Sequence, residues 1–484
     1  MGVLEGLEPK SVFRFFEEIT RIPRGSGNVR QISDYLKKFA DDRGIMCIQD
    51  ELLNIIMVKE ATAGYEQEEP YILQGHMDMV AVKKPGCDID MTKEPLRLCV
   101  ENNRIHAEGT SLGGDNGIAV AYAMALMDAQ DISHPRLEVI LTVNEETGMD
   151  GAQGIDLSML KGKRLINLDQ EEEGVIITSC AGGAKVDVDI PLQPEEMTDQ
   201  EELLKVKVTG LQGGHSGIEI NKGRGNANCL LGRIVLRLSE QFHVRLADMR
   251  GGMADNAIPR EAEALVLVDI NHIDEAVSSV REEESIIKEE LGDNDAGFCV
   301  ECSVLDSDGQ RPVYSVSSTA QALACLRKLP NGVVAMSMEL EGLVQTSLNL
   351  GIVVLEGDEL KLSYAVRSSV NEEKDELCRQ MKDIAGGLGA SVEVKNSYTG
   401  WAYRKDSPLR DIVSVVYEEM YGKKPVLEAI HAGVECGILA AKIEGLDCVS
   451  IGPDMSDVHT VEESLDIASV KRTWEYLLAI LERK

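Results

Sequence analysis

A short apolar run, Tyr71-Ile72-Leu73, opens directly onto Gly75-His76-Met77-Asp78. Consecutive apolar side chains on a strand have to be covered on both faces, which is the condition of a parallel sheet flanked by helices. Open α/β sheets bind ligands at the C-terminal edge of their strands, so the turn carrying His76 and Asp78 falls at a binding edge. Two residues apart in extended chain, the two side chains point to the same side. An imidazole with a carboxylate to orient it is what a metal site requires. Alone, the pair reads equally well as an ordinary histidine and a surface aspartate, and repetition along the chain decides between the two.

The chain in order is organised as follows. Helices are predicted at 8–22 and 29–43, short strands at 45–49 and 54–58, and an irregular excursion at 80–105. Leu112-Gly113-Gly114-Asp115-Asn116-Gly117 precedes an apolar helical run, 118–127. Asp115 is thereby placed at a helix N-terminus, where the dipole favours a carboxylate; viewed singly it is an N-cap. The strand 137–143 runs into Asn144-Glu145-Glu146-Thr147-Gly148. Adjacent carboxylates at a dry strand end repel unless a cation lies beside them, in which case one ligates and the other works as a base. Seen apart from the rest they form an exposed acidic turn. The strand 165–168 ends at Asp169, with Glu171, Glu172 and Glu173 behind it. Composition does not choose among the four; Asp169, nearest the strand end, is taken as the candidate. A further strand, 175–179, closes this part at Ala181-Gly182-Gly183.

From about 184 the pattern changes. Residues 203–208, 263–270, 298–304 and 347–366 are β-rich, and 226–241, 273–290, 316–328 and 372–384 are helical. Polar–apolar alternation predicts antiparallel strands with one face covered by helices, in two α+β halves near 203–290 and 298–390 without a sequence period. After about 395 the α/β style returns, with a helix at 408–421, a strand at 426–430 and a helix after His431-Ala432-Gly433-Val434-Glu435-Cys436. A strand at 448–451 leads to Val458-His459-Thr460, and a last helix spans 467–482. The predicted architecture is an α/β domain, a mixed sheet with helices on both faces, built from 1–183 plus 396–484. An α+β domain at 184–395 is inserted into it.

Net charge is −34, from 49 basic and 83 acidic residues. Such a field repels nucleic acid and anionic membranes, which are excluded as partners, and attracts divalent cations. No run of about 18 apolar residues suggests a membrane span. Met1-Gly2-Val3-Leu4-Glu5-Gly6 lacks the basic start and apolar core of a signal peptide, so a cytoplasmic location is expected. Of the 11 cysteines, the C-x-x-C pair Cys299 and Cys302 lies in a run that alternates like a strand. Its thiols face opposite sides and no second pair follows at zinc-ribbon spacing, so they read as structural. His76, Asp78, Asp115, Glu145, Glu146, Asp169 and His459 thus gather two imidazoles and several carboxylates at one sheet edge. That set suits a pair of borderline metals such as zinc, bridged by a carboxylate at roughly 3.5–4 Å.

In these motifs the sequence resembles the aminoacyl-histidine dipeptidases of the di-zinc exopeptidase clan. Also carrying the resemblance are Gly213-Gly214-His215-Ser216-Gly217, Asn256-Ala257-Ile258-Pro259-Arg260, Thr346-Ser347-Leu348-Asn349-Leu350-Gly351 and the His431 to Cys436 motif. It covers essentially the whole chain. It implies that His76 and Asp169 hold one metal, Glu146 and His459 the other, and Asp115 bridges them. Asp78 orients His76, Glu145 is the general base, and His215 from the inserted lid steadies the oxyanion. Asn256, Arg367 and Gly433 contact substrate, with Arg367 on its C-terminal carboxylate; by themselves His215 reads as a hairpin turn and Arg367 as a surface ion pair. The implied function is hydrolysis of unblocked dipeptides, favouring Xaa-His such as β-Ala-His. The implied cofactor is two zinc ions per subunit, with cobalt or manganese as substitutes, and the inserted domain is implied to mediate a homodimer. The rivals are another amidohydrolase of the clan (tripeptidase, carboxypeptidase, N-acyl amino acid deacylase) and a non-catalytic metal- or peptide-binding protein on the same fold.

Overall fold

In the computed structural model, which describes residues 2–305 and 312–484, the chain divides into two compact units. One comprises Met1–Cys180, Tyr403–Ala429 and Val434–Lys484; the other comprises Ala181–Ala402 and Ile430–Gly433.

The first unit is built on an eight-stranded sheet. Its centre is four parallel neighbours in the order Leu137–Thr142, Tyr71–His76, Arg164–Asn167 and Asp447–Ser450. Every residue of the first two is buried, the polar Gln74, His76, Glu138 and Thr142 included. The strand Ile55–Lys59 joins antiparallel on one side and Val175–Cys180 on the other, making the sheet mixed. The helix Gly114–Asp128 is apolar all round and buried along nearly its whole length; a helix of that composition has no face to give to water. It packs against the His76 strand at Gly75, where an added Cβ would lie 2.5 Å from the Ala119 Cβ and 2.4 Å from Asn116 Oδ1. Register then sets the site. His76 is opposite Thr142 and Gln74 is opposite Asn167, so three strands end at nearly one level and release their following residues at the same edge.

Two local expectations change. The stretch 80–105 is not irregular throughout: Leu98–Glu101 and Arg104–Ala107 form a hairpin. Its turn, Asn102-Asn103, has both residues at positive φ, 48° and 64°, the requirement of a tight hairpin turn. The acidic turn Glu145–Gly148 is one turn of helix with Glu145 and Glu146 partly buried, not fully exposed.

The second unit carries a nine-stranded antiparallel sheet. In the strand Gly182–Pro191, Val186, Val188 and Ile190 are buried while Lys185, Asp187 and Asp189 are partly exposed. The buried side shares a core with Leu231, Ile234, Val280, Leu323, Leu377 and Met381, from the helices Ala227–Gln241, Ile273–Leu291, Val316–Lys328 and Asn371–Gly387. The two halves read from sequence are not separate. Cys299–Leu305 pairs with Glu201–Thr209, and Gly182–Pro191 lies between Glu359–Ser368 and Ser391–Tyr398. Strand edges that two separate halves would leave open are satisfied by pairing across them. Ile430–Gly433 groups with this unit, and the Ala181 N–H donates to the carbonyls of Ile430 and Ala432.

Candidate metal centre

Three central strands and two loops deliver ligand-type side chains to one edge of the first unit. Asp115 faces two imidazoles at once: its Oδ1 lies 3.1 Å from His76 Nε2 and its Oδ2 lies 3.0 Å from His459 Nε2. His76 Nε2 is also 3.4 Å from Asp169 Oδ1, and His459 Nε2 is 2.9 Å from Glu146 Oε2. His76, Asp115 and Glu146 present ligand atoms within 4.8 Å of one another. On the far side of the ring, His76 Nδ1 lies 3.4 Å from Asp78 Oδ1, and Asp78 is fixed by the Ser26 hydroxyl at 2.8 Å and the Glu145 N–H at 3.1 Å. This arrangement leaves Nε2 free to ligate and keeps a proton on Nδ1, as an oriented metal-binding histidine needs.

The electrostatics of this edge favour positive charge. Burial alone would lower the His76 pKa, but the carboxylates of Asp169, Asp115 and Asp78 outweigh it and hold it well above the usual value. Hydrogen bonds to Asp115 and Glu146 push His459 up to about 11. Burial pushes Asp169 up to about 6 and Glu145 well above the carboxylate range, with neighbouring carboxylates adding to both. The surrounding carboxylates thus favour the charged form of both imidazoles. Glu146 Oε1 and Asp169 Oδ1 are buried and accept no hydrogen bond from the described residues, although buried polar atoms almost always find a partner. Two imidazoles with oxygen donors around a shared carboxylate fit borderline divalent ions.

The remaining predicted residues lie in the second unit. His215 is on a short ribbon, Gly214–His215 against Ala257–Ile258, beside Asn256, whose carbonyl accepts the Ser216 N–H at 2.9 Å. The His215 Nδ1 accepts the N–H groups of Gly217 and Ile218, each at 3.2 Å, so the neutral ring carries its proton on Nε2. Burial, then Arg367, lowers its pKa and keeps it neutral. Arg367 is buried, and its Nε makes no hydrogen bond. It sits opposite Ser347, whose hydroxyl is 2.7 Å from His431 Nε2. Burial, then Arg367, pushes His431 down to about 3. Gly433 follows two residues later.

Other participants escape sequence reasoning. Glu435 is fully buried in the first unit, and its Oε2 accepts the Gln74 amide and, at 2.6 Å, the Thr142 hydroxyl. Gln74 Oε1 accepts from Asn167 at 2.6 Å, and Asn167 accepts from Ser450. One polar side chain from each of the four parallel strands thus forms a buried chain just behind the ligand edge. Arg24 and Glu463, taken up below, also carried no local signal.

A sheet edge that gathers two histidines and several carboxylates around one shared aspartate belongs to the class of two-metal hydrolases. Residues 72–483 match peptidase family M20/M25/M40, and the chain belongs to that family. It is 36% identical over 483 residues to the cytosol non-specific dipeptidase of Escherichia coli, covering all of this chain and 99% of that one. The crystal structure of aminoacylhistidine dipeptidase from Vibrio alginolyticus matches with a TM-score of 0.91 at 33% identity, covering 99% of this chain and 97% of that one. Aminopeptidase PepT from Bacillus cereus, 17% identical with a TM-score of 0.60 over 98% of both chains, shares the fold. The chain is a metallopeptidase.

Proposed function

We propose that the chain hydrolyses unblocked dipeptides, Xaa-His among them, with two zinc ions at the centre. The observation that carries this is Asp115, whose two carboxylate oxygens face His76 and His459, with Glu145 and Glu146 side by side at the adjoining strand end. His76 and Asp169 would hold one ion and Glu146 and His459 the other, with Asp115, an oxygen toward each imidazole, available to both. When bound, the ions acidify water toward a pKa of about 7 and polarise the scissile carbonyl. Glu145 takes the proton of the attacking water and passes it to the leaving amine. Asp78 keeps His76 in the ligating tautomer. His215, neutral with its proton on Nε2, donates to the developing oxyanion. The Arg367 guanidinium, buried with an unpartnered Nε, takes the substrate's C-terminal carboxylate in a fork geometry. Asn256 and Gly433 complete the substrate contacts. A carboxylate anchor at fixed reach makes the enzyme an exopeptidase for short substrates.

The relatives named as a cytosol dipeptidase and an aminoacylhistidine dipeptidase support this reading, and the name of the first supports a cytoplasmic location. Among the described residues no helix is long and apolar enough to cross a membrane. A homodimer through the second unit is supported by the strand Gly332–Met336, which exposes Val333, Val334 and Met336. The test is hydrolysis of β-Ala-His, Ala-His, Ala-Leu, Gly-Gly-His and N-acetyl-His before and after chelation. Cleavage of the free dipeptides alone, abolished by chelator and restored by zinc, is expected. Cleavage of the tripeptide or the acetylated compound would assign a different amidohydrolase specificity. Zinc binding without turnover of any substrate would leave only a binding protein.

A further inference from the structure

Glu463 is buried four residues beyond His459. Its carboxylate accepts four successive backbone N–H groups: Leu112 at 2.8 Å and Gly113 at 2.9 Å on Oε2, Gly114 at 2.8 Å and Asp115 at 3.3 Å on Oε1. The segment that carries His459 is thereby tied to the loop that carries Asp115. Arg24, 2% exposed, ties that loop to the next one. Its Nη1 donates to the carbonyls of Met77 at 3.1 Å and Asp78 at 3.2 Å, and its Nη2 to the carbonyl of Gly113. Two residues on, the Ser26 hydroxyl holds Asp78, and the Gly27 N–H donates to Asn144 Oδ1 at 2.8 Å, next to Glu145. The glycines of the Asp115 loop make room for this. A Cβ on Gly113 would lie 2.6 Å from Arg24 Nη2, and one on Gly117 would lie 2.4 Å from it.

Neither the Arg24 nor the Glu463 side chain bonds to a ligand's side chain; both grip backbone. We propose that Arg24 and Glu463 are positioning residues that clamp the His76, Asp115 and His459 segments at the spacing two divalent ions demand. This rests on the ligand assignment proposed above. The physical need is plain: ligand distances must hold to within about 0.2 Å, whereas two dications and the carboxylates around them would push and pull where regular hydrogen bonding stops, at the last residue of the His76 strand, at the non-helical start of the Gly114–Asp128 helix and in the loop of His459. A carboxylate on four amides and a guanidinium on three carbonyls supply that bonding from outside the coordination shell, where loss of a single support typically costs about 10–100-fold in metal affinity.

The test compares E463Q and R24K with E138Q and D115N, all metal-free, by calorimetric zinc titration and by amide hydrogen exchange at 112–115. In E463Q the new amide group turns a donor toward N–H donors. In R24K one ammonium replaces a fork that spans three carbonyls. Both are expected to lose zinc affinity at both sites by about 10–100-fold and to exchange faster at 112–115 before any zinc is added. E138Q is the matched control. Glu138 is also fully buried and accepts backbone N–H groups, from Lys161 and Gly162, but at the opposite end of the Leu137–Thr142 strand; it is expected to cost stability and leave zinc affinity unchanged. If E463Q does not fold, R24K carries the same test. Wild-type zinc affinity in folded E463Q or R24K, or an equal loss in E138Q, would overturn the clamp while a D115N defect upholds the ligand assignment. Wild-type affinity in D115N would overturn that assignment itself.

Discussion

Glu435 offers a test of the buried polar chain in which the magnitude follows from its surroundings. The carboxyl is fully buried, its Oε2 accepts two hydrogen bonds and its Oε1 none. Burial pushes its pKa up to about 8 from an ordinary 4.5. Because the folded value lies above the unfolded one, the stabilisation is fully present below the unfolded value and lost as pH rises through about 8. At about 1.4 kcal/mol per unit that loss reaches about 5 kcal/mol in the metal-free protein. Glu435→Gln abolishes the titration but places an amide donor where Oε1 had no partner, which costs about 1–3 kcal/mol at every pH. The variant is therefore expected to be the less stable protein near pH 5 and the more stable one above pH 8, by about 2–4 kcal/mol. The assay is urea unfolding of metal-free protein across that range in a Trp401→Phe background, which leaves Trp474 to report on the first unit. Zinc should narrow the difference, since nearby dications favour the ionised carboxylate. Parallel stability–pH curves for the two proteins would show that Glu435 does not change ionisation on folding and would refute the reasoning.

Glu145→Gln should retain its zinc, measured by atomic absorption, while kcat falls by about 10²–10⁴; retained turnover would displace Glu145 as the base. Zinc binding near neutral pH should release about two protons, because carboxylates hold both His76 and His459 well above the usual imidazole value; affinity then falls as pH falls, and calorimetry in buffers of different ionisation enthalpy counts the protons. Arg367→Met should lower kcat/KM for dipeptides by about 10–100-fold, as expected for a lost charged hydrogen bond, mainly through KM, and leave the slow hydrolysis of C-terminally amidated dipeptides unaltered. Gly75→Ala should destabilise by about 1–3 kcal/mol and weaken zinc binding, since the new methyl group strikes Asn116 and Ala119; unchanged thermal stability would contradict that packing.

What could be read from the chain, and what could not, follows from how far each side chain reaches. His76 ends, and Glu146 and Asp169 follow, strands that were readable from their apolar runs, and parallel register brings the strand ends to nearly one level. Asp115 was readable because glycines, which allow close approach, crowd around it before an all-apolar helix, though what approaches them was not readable. The structure supplies it: Arg24 passes where Gly113 and Gly117 would carry a Cβ. Arg24, just beyond the helix predicted at 8–22, and Glu463, in the acidic pair Glu462-Glu463, drew no reading from the sequence. Each acts on backbone atoms dozens to hundreds of residues away, and a bond to backbone leaves no residue type at the far end to be recognised. The same holds for the nine-stranded sheet, where alternation identified strands but not which edge each would join. Chemistry-bearing side chains impose a pattern on their own neighbourhood, while the groups that hold them in place are chosen by the fold and become visible only in it.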